Sequence, residues 1–175
     1  MGPKTSTREV KNLIIHSTVF EMYYTHPSKH RIEEVLGRIG SFYRFDIIEV
    51  TNARLCAKRL FEGDAPAGDV VELFWVCCLI SRKYWNDSAE KNAEEIARTG
   101  EGMSLQRVNY LEQKILTALE YNIGMTYHEI NREIESEINV DKMYRQAVEG
   151  CYTLSKVGTV RHKKETIGRQ FGHHR

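Results

Sequence analysis

Apolar residues recur at three- and four-residue spacing along most of this chain, and polar caps, glycines or prolines interrupt them at intervals that suit helices. Ser6, with Glu9 three residues later, makes a capping box before Val10, Leu13, Ile14, Phe20 and Tyr24, and His26-Pro27-Ser28 ends that helix. Ile32, Val35, Leu36, Ile39, Phe42 and Tyr43 then fall on one helical face, and Asp46 is placed to cap a helix reaching Phe61. Gly63-Asp64-Ala65-Pro66-Ala67-Gly68 reads as a turn. Asp69 with Glu72 starts the next element, in which Val70, Val71, Leu73, Phe74, Trp75, Val76, Leu79 and Ile80 leave almost no polar face. A helix apolar all round has to be enclosed by others, so this one is predicted at the centre of a bundle.

Asn86, Asp87 and Ser88 break the pattern, and a short helix follows with Ala89, Ala93, Ile96 and Ala97 along one side, ending at Gly100 and Gly102. From Ser104, the spacing of Leu105, Val108, Leu111, Ile115, Leu116, Leu119 and Ile123 describes one continuous amphipathic helix with Glu112 off its apolar stripe. Thr126 with Glu129 caps a helix carrying Ile130, Ile134 and Ile138, and Met143, Tyr144, Ala147, Val148 and Cys151 suggest one more. From Arg161-His162-Lys163-Lys164 to Gly172-His173-His174-Arg175 the apolar pattern is almost gone. The predicted protein is all-α. It has an N-terminal segment and helix over 1–28, a five-helix bundle over 29–125, one or two C-terminal helices over 126–160, and a flexible basic tail over 161–175.

Composition narrows the functions open to such a bundle. The 175 residues suit one compact domain plus a tail, and 41% hydrophobic residues with three prolines allow a real core. The 25 basic and 24 acidic residues leave a formal charge of +1, so no whole-molecule field draws the chain to nucleic acid or to a membrane surface. The run from Val70 to Ile80 is well short of the roughly 20 residues a bilayer-spanning helix needs. Met1 to Thr5 carries no signal-peptide apolar region. Met1-Gly2 with Ser6 has the outline of a myristoylation pattern, but Pro3 follows the glycine directly. An intracellular protein with reduced thiols is expected.

Cys56, Cys77, Cys78 and Cys151 make no Cys-x-x-Cys pair, and adjacent cysteines inside an apolar helix point different ways, so core thiols are expected rather than metal ligands. No phosphate-binding glycine loop, His-Glu-x-x-His, nucleophile elbow or spaced acidic cluster occurs. The reading is therefore of a non-enzymatic chain with no cofactor.

A set of separately spaced elements points further. They are Ser81-Arg82-Lys83-Tyr84-Trp85-Asn86-Asp87-Ser88, Asn92, Ala97-Arg98-Thr99-Gly100, Ser104-Leu105, Asn109, Leu111-Glu112 and Leu119-Glu120-Tyr121-Asn122-Ile123. This stretch resembles the cyclin box, and within it the phosphate-signalling, P/U-type cyclins. Helix layout extends the resemblance back to residue 29. Many cyclins carry a buried Asp before an Arg in the second box helix, paired with an Arg of the first. Here Lys58 precedes Arg59, so Arg38 lacks that partner.

The resemblance implies a regulatory subunit that forms a heterodimer with a cyclin-dependent protein kinase and activates it. It assigns kinase-backbone hydrogen bonds to Lys83 and Glu112, a role that suits an ammonium donor and a carboxylate acceptor. Tyr84, Leu116 and Tyr121 lie near them at helical spacing and are candidates for the apolar contact between, or for core. Asp87 could engage a basic residue of the kinase activation segment, or cap the following helix with Glu90. Trp85 is read as closing the core rather than as an anchor. The competing function is a cyclin-box adaptor or scaffold in a transcription or nucleic-acid complex, since one fold serves several functions. The near-neutral charge argues against direct nucleic-acid binding, with the basic tail as the region left open.

Overall fold

The computed structural model describes residues 6–26, 30–87, 91–99 and 102–170, with only the backbone described at 98, 99 and 150–170. All regular structure among the described residues is helical: α1 (Thr7–Thr25), α2 (Ile32–Gly37), α3 (Ile47–Glu62), α4 (Val70–Trp85), α5 (Asn92–Thr99), α6 (Leu105–Ala118) and α7 (Tyr127–Gln170), with a 3₁₀ helix at Ile39–Arg44. The chain divides into two compact units, Met1–Glu137 and Ile138–Arg175.

The predicted caps form. In α1 the Ser6 amide donates to Glu9 Oε2 at 2.7 Å while Glu9 N donates to Ser6 Oγ, and Asp46 and Glu49 make the same reciprocal box at the start of α3. Asp69 accepts from the amides of Val71 and Glu72 and so caps α4 alone, because the Glu72 carboxylate is turned to Arg107 instead. α4 is the central helix, with every residue from Val70 to Ser81 buried except Glu72, and it packs on α1, α3 and α6.

Four elements depart from the pattern read in the sequence. On α1 the core stripe is Val10, Ile14, Thr18 and Met22, with Ile15 and Val19. Phe20 and Tyr24 lie off that stripe, 41% and 73% exposed, and rest on each other at 5.5 Å. The single helix expected from Ile32 to Tyr43 is interrupted, where Gly37 and Gly40 weaken helical continuity. Its backbone bonds tighten to i−3 at Arg38 and Ser41, yet Val35, Ile39 and Phe42 still face the core.

The face of α5 turned inward is Asn92 and Glu95, both buried; Ala93 and Ala97 are exposed, and Ala89 lies outside the described residues. Spacing of small residues misled here because two polar residues one turn apart found charged and amide partners on α4 and α6. Finally, α6 stops at Ala118 rather than continuing to Ile123. Glu120 and Tyr121 adopt left-handed φ values of 52° and 58°, and the Leu119 and Tyr121 amides bond back to the Ile115 and Leu116 carbonyls.

α7 begins at the predicted Thr126–Glu129 box and runs as one helix through the residues read as one or two helices and into the basic stretch. In the second unit Arg145 pairs with Asp141 at 2.7 Å, and Val140, Met143 and Tyr144 are exposed. The side chains of Cys151 and of the basic residues from Arg161 on, together with His173 and His174, lie outside the described residues.

Candidate functional site

Arg82 and Lys83 stand side by side in the last turn of α4, and the helical step of about 100° sends them to different places. Arg82 turns inward. Its guanidinium donates to both oxygens of Glu49, to Glu95 Oε2 at 3.0 Å and to the Arg44 carbonyl at 2.8 Å, and lies 4.4 Å over the Phe45 ring. Burial would lower its pKa, but Glu49 and Glu95 hold it above the ordinary arginine value. Glu95 also faces Arg44 at 3.5 Å, so this network binds α5 to α4.

Lys83 turns outward, and its Nζ reaches Glu112 Oε1 on α6 at 2.6 Å. Glu112 follows the buried Leu111, so it emerges at the edge of the face on which α6 packs. The pair is part-exposed, with side chains 35% and 16% accessible. The second Glu112 oxygen accepts from Asn92 Nδ2 at 2.7 Å, and the same nitrogen donates to Asn109 Oδ1 at 2.7 Å. Three helices therefore meet at one carboxylate.

Tyr84 is 48% exposed and sits edge-on to Trp85 at 5.4 Å. Its hydroxyl lies where a Cβ on Gly124 would come within 2.7 Å, so glycine is what lets the ring lie on the segment after α6. Trp85 is half-buried, not closed into the core, and its ring rests 4.9 Å from Tyr127. The Trp85 indole N–H is buried without a partner among the described residues. Leu116 is half-buried and Tyr121 is 67% exposed, and the two are joined by the Tyr121 amide on the Leu116 carbonyl at 2.8 Å. Asp87 is exposed in the turn beyond Asn86; Ser88 and Glu90 lie outside the described residues.

The structure thus joins Lys83 directly to Glu112, brings Tyr84 onto Gly124 and ties Tyr121 to Leu116. It joins Asp87 to none of them through any described contact. Two partners of the site, Asn92 and Asn109, are present among the recurring sequence elements but gain a role only through geometry. Arg82 stands in the first of those elements without a role of its own there, and Glu95 carries no sign in the sequence beyond being a charge near apolar neighbours.

Arg38 finds a partner from an unexpected direction, donating to Asp69 Oδ1 at 3.0 Å. Lys58 pairs with Glu133 of α7. Cys56, Cys77 and Cys78 are buried free thiols; burial pushes Cys56 up to about 11 and the other two well above their ordinary value, so none is a nucleophile at neutral pH.

Among the described residues there is no His, Cys, Asp or Glu group suited to a metal, and no helix long and apolar enough to cross a membrane. A groove of about 380 Å³ runs between α1 and α3, lined by Met22, Ala57 and Phe61. A second of about 520 Å³ lies beside Arg8, Lys11 and Tyr43. Neither includes Lys83 or Glu112. Comparison with protein-family models, with curated proteins and with solved structures gives no match to this chain.

Proposed function

We propose that the chain is a cyclin, a non-enzymatic subunit that works inside the cell, binds a cyclin-dependent serine/threonine kinase and holds that kinase's regulatory helix in its active position. In this reading α2 to α6 are the cyclin box, supported by the resemblance of the elements from Ser81 to Ile123. The observation that carries it is the part-exposed Lys83–Glu112 pair, brought to 2.6 Å from two different helices.

The chemistry of the pair fits a peptide backbone. Lys83 has three N–H donors and gives one to Glu112, and each Glu112 oxygen accepts one described bond where it has room for two. Donors remain for a partner's carbonyl, and acceptor sites remain for its N–H. A kinase is active when its regulatory-helix Glu swings in to pair with the ATP-site Lys, so a cyclin acts by binding that conformer more tightly. Moving such an equilibrium from 1:99 to 99:1 needs roughly 5.5 kcal/mol of differential binding. Two hydrogen bonds to charged groups contribute about 1.5–3 kcal/mol each, a large share of that requirement. Apolar contact through Tyr84, Leu116 and Tyr121 can supply the remainder.

The test is copurification with a panel of recombinant cyclin-dependent kinases, followed by phosphotransfer to a basic peptide substrate. A stable heterodimer with raised phosphotransfer is expected. Lys83→Ala combined with Glu112→Ala should weaken that complex by about 3 kcal/mol or more while helix content is kept. Wild-type affinity in the folded double variant would refute the proposal. A complex without phosphotransfer would make the chain a scaffold or adaptor instead.

A further inference from the structure

We infer that Asn92 is a positioning residue that sets the orientation of the Glu112 carboxylate for the partner; the inference rests on the cyclin reading of the Lys83–Glu112 pair. Asn92 is the first residue of α5 and is 9% exposed. Its amide nitrogen has two N–H groups, and both are used, one on Glu112 Oε2 and one on Asn109 Oδ1, each at 2.7 Å. Turning the amide over would set its carbonyl oxygen against the Glu112 carboxylate, so Glu112 fixes which way the group faces. The consequence is a buried Asn92 Oδ1 with no partner among the described residues. Asn92 is thus oriented toward Glu112 and Asn109 by its two N–H donors rather than by its carbonyl oxygen.

What depends on it here is Glu112. A part-exposed carboxylate beside a lysine is free to rotate and present both oxygens to the ammonium. With Asn92 holding Oε2, only Oε1 serves Lys83. The carboxylate plane is then set before any partner arrives, and each oxygen keeps one acceptor direction open. Pre-orientation of this kind raises affinity by lowering the ordering cost of binding. Asn92 is itself held by α5, which the buried Glu95 fastens to Arg82 at 3.0 Å. The Arg82 network therefore reaches the outer pair through Asn92, although Arg82 touches neither Lys83 nor Glu112 in any described bond.

The experiment is a double-mutant cycle on the full chain, read as affinity for the recombinant cyclin-dependent kinase that it binds. Asn92→Ala should weaken binding about tenfold on its own and by less than about twofold when Glu112 is already Ala. Asn92→Asp, which keeps the shape of the side chain but sets a second carboxylate against Glu112, should weaken binding further than Asn92→Ala and should likewise lose its effect in the Glu112→Ala background. Circular dichroism melting of each variant separates loss of fold from loss of orientation. Equal effects of the Asn92 substitutions with and without Glu112, or wild-type affinity in Asn92→Ala, would overturn the inference while the cyclin reading stands. If Glu112→Ala itself left affinity unchanged, the cyclin reading would fall and the inference with it.

Discussion

Two charge clusters in this molecule use the same kinds of residue to opposite ends. Arg54, on α3, is 2% exposed, and all five of its N–H groups are used: on Glu133, Ser17, Thr18, Glu21 and Glu137. It joins α1, α3 and the first turns of α7 with no hydrogen-bonding capacity left over. Lys83 and Glu112 also join two helices, but they stay part-exposed and keep donors and acceptors unused. A saturated, enclosed cluster can hold helices in place and can do little else. An unsaturated one at the surface contributes little to stability, because exposed ion pairs are typically worth about 0–1 kcal/mol, and its remaining valence is available to a partner.

The sharpest way to break that contrast is to remove the hub of the enclosed cluster. Arg54→Ala leaves the buried Glu137 without its one described cation and the part-exposed Glu133 with Lys58 alone, and losing the buried hub of such a network is expected to cost about 3–5 kcal/mol. Urea denaturation followed by circular dichroism measures it. The same experiment on Lys83→Ala should move stability by under about 1 kcal/mol. Comparable losses in the two variants would erase the distinction between a structural and a binding cluster.

Acid should act on the enclosed cluster next. Burial alone would raise the pKa of Glu133, but hydrogen bonds and charge from Lys58 and Arg54 outweigh it and hold the carboxyl below the ordinary glutamate range. Glu21 on α1 and Glu137 on α7 face the same guanidinium. A depressed folded-state pKa stabilises the protein at and above the unfolded glutamate value of about 4.3, and that contribution is lost as pH falls through the lower folded value. The stability advantage of the native chain over Glu133→Gln should therefore shrink on titration from about pH 6 to about pH 3. A constant difference across that range would mean that Glu133 holds no such charge-dependent role.

The contrast also explains what the sequence made legible. Caps at Ser6, Asp46, Asp69, Ser104 and Thr126, and the enclosure of α4, follow from local hydrogen bonding and from an apolar run with no polar face. Lys83 and Glu112 were visible through their resemblance to a spaced pattern. The enclosed clusters were not, since Arg54 and Glu133 lie 79 residues apart and nothing local distinguishes them from solvated charges. The α5 face was misread for a related reason, because small apolar spacing gives no hint that Glu95 finds Arg82 and Asn92 finds Glu112. The early end of α6 depends on two left-handed residues, Glu120 and Tyr121, which neither glycine nor asparagine announces.

The smallest expected effect sharpens the surface side of the comparison. Gly124 has no left-handed backbone to defend, since Gly102 is the one glycine with positive φ among the described residues. Gly124→Ala should then gain about 0.4–1 kcal/mol from the reduced freedom of the unfolded chain. Against that, the new methyl would meet the Tyr84 hydroxyl at 2.7 Å. That hydroxyl is the end of a half-exposed side chain that can swing outward, so the clash is relieved at the surface rather than in the core. The two terms nearly cancel, and the melting temperature should hardly move. What should move is the aromatic contact: Tyr84 leaves its edge-on place at Trp85, and the tryptophan fluorescence near that ring should change. Trp75, enclosed at 0% exposure, provides the constant background. If Gly124→Ala left Trp85 fluorescence untouched, Tyr84 would not depend on that glycine. If it lowered stability by several kcal/mol, the segment after α6 would belong to the enclosed structure and not to the surface that a partner meets.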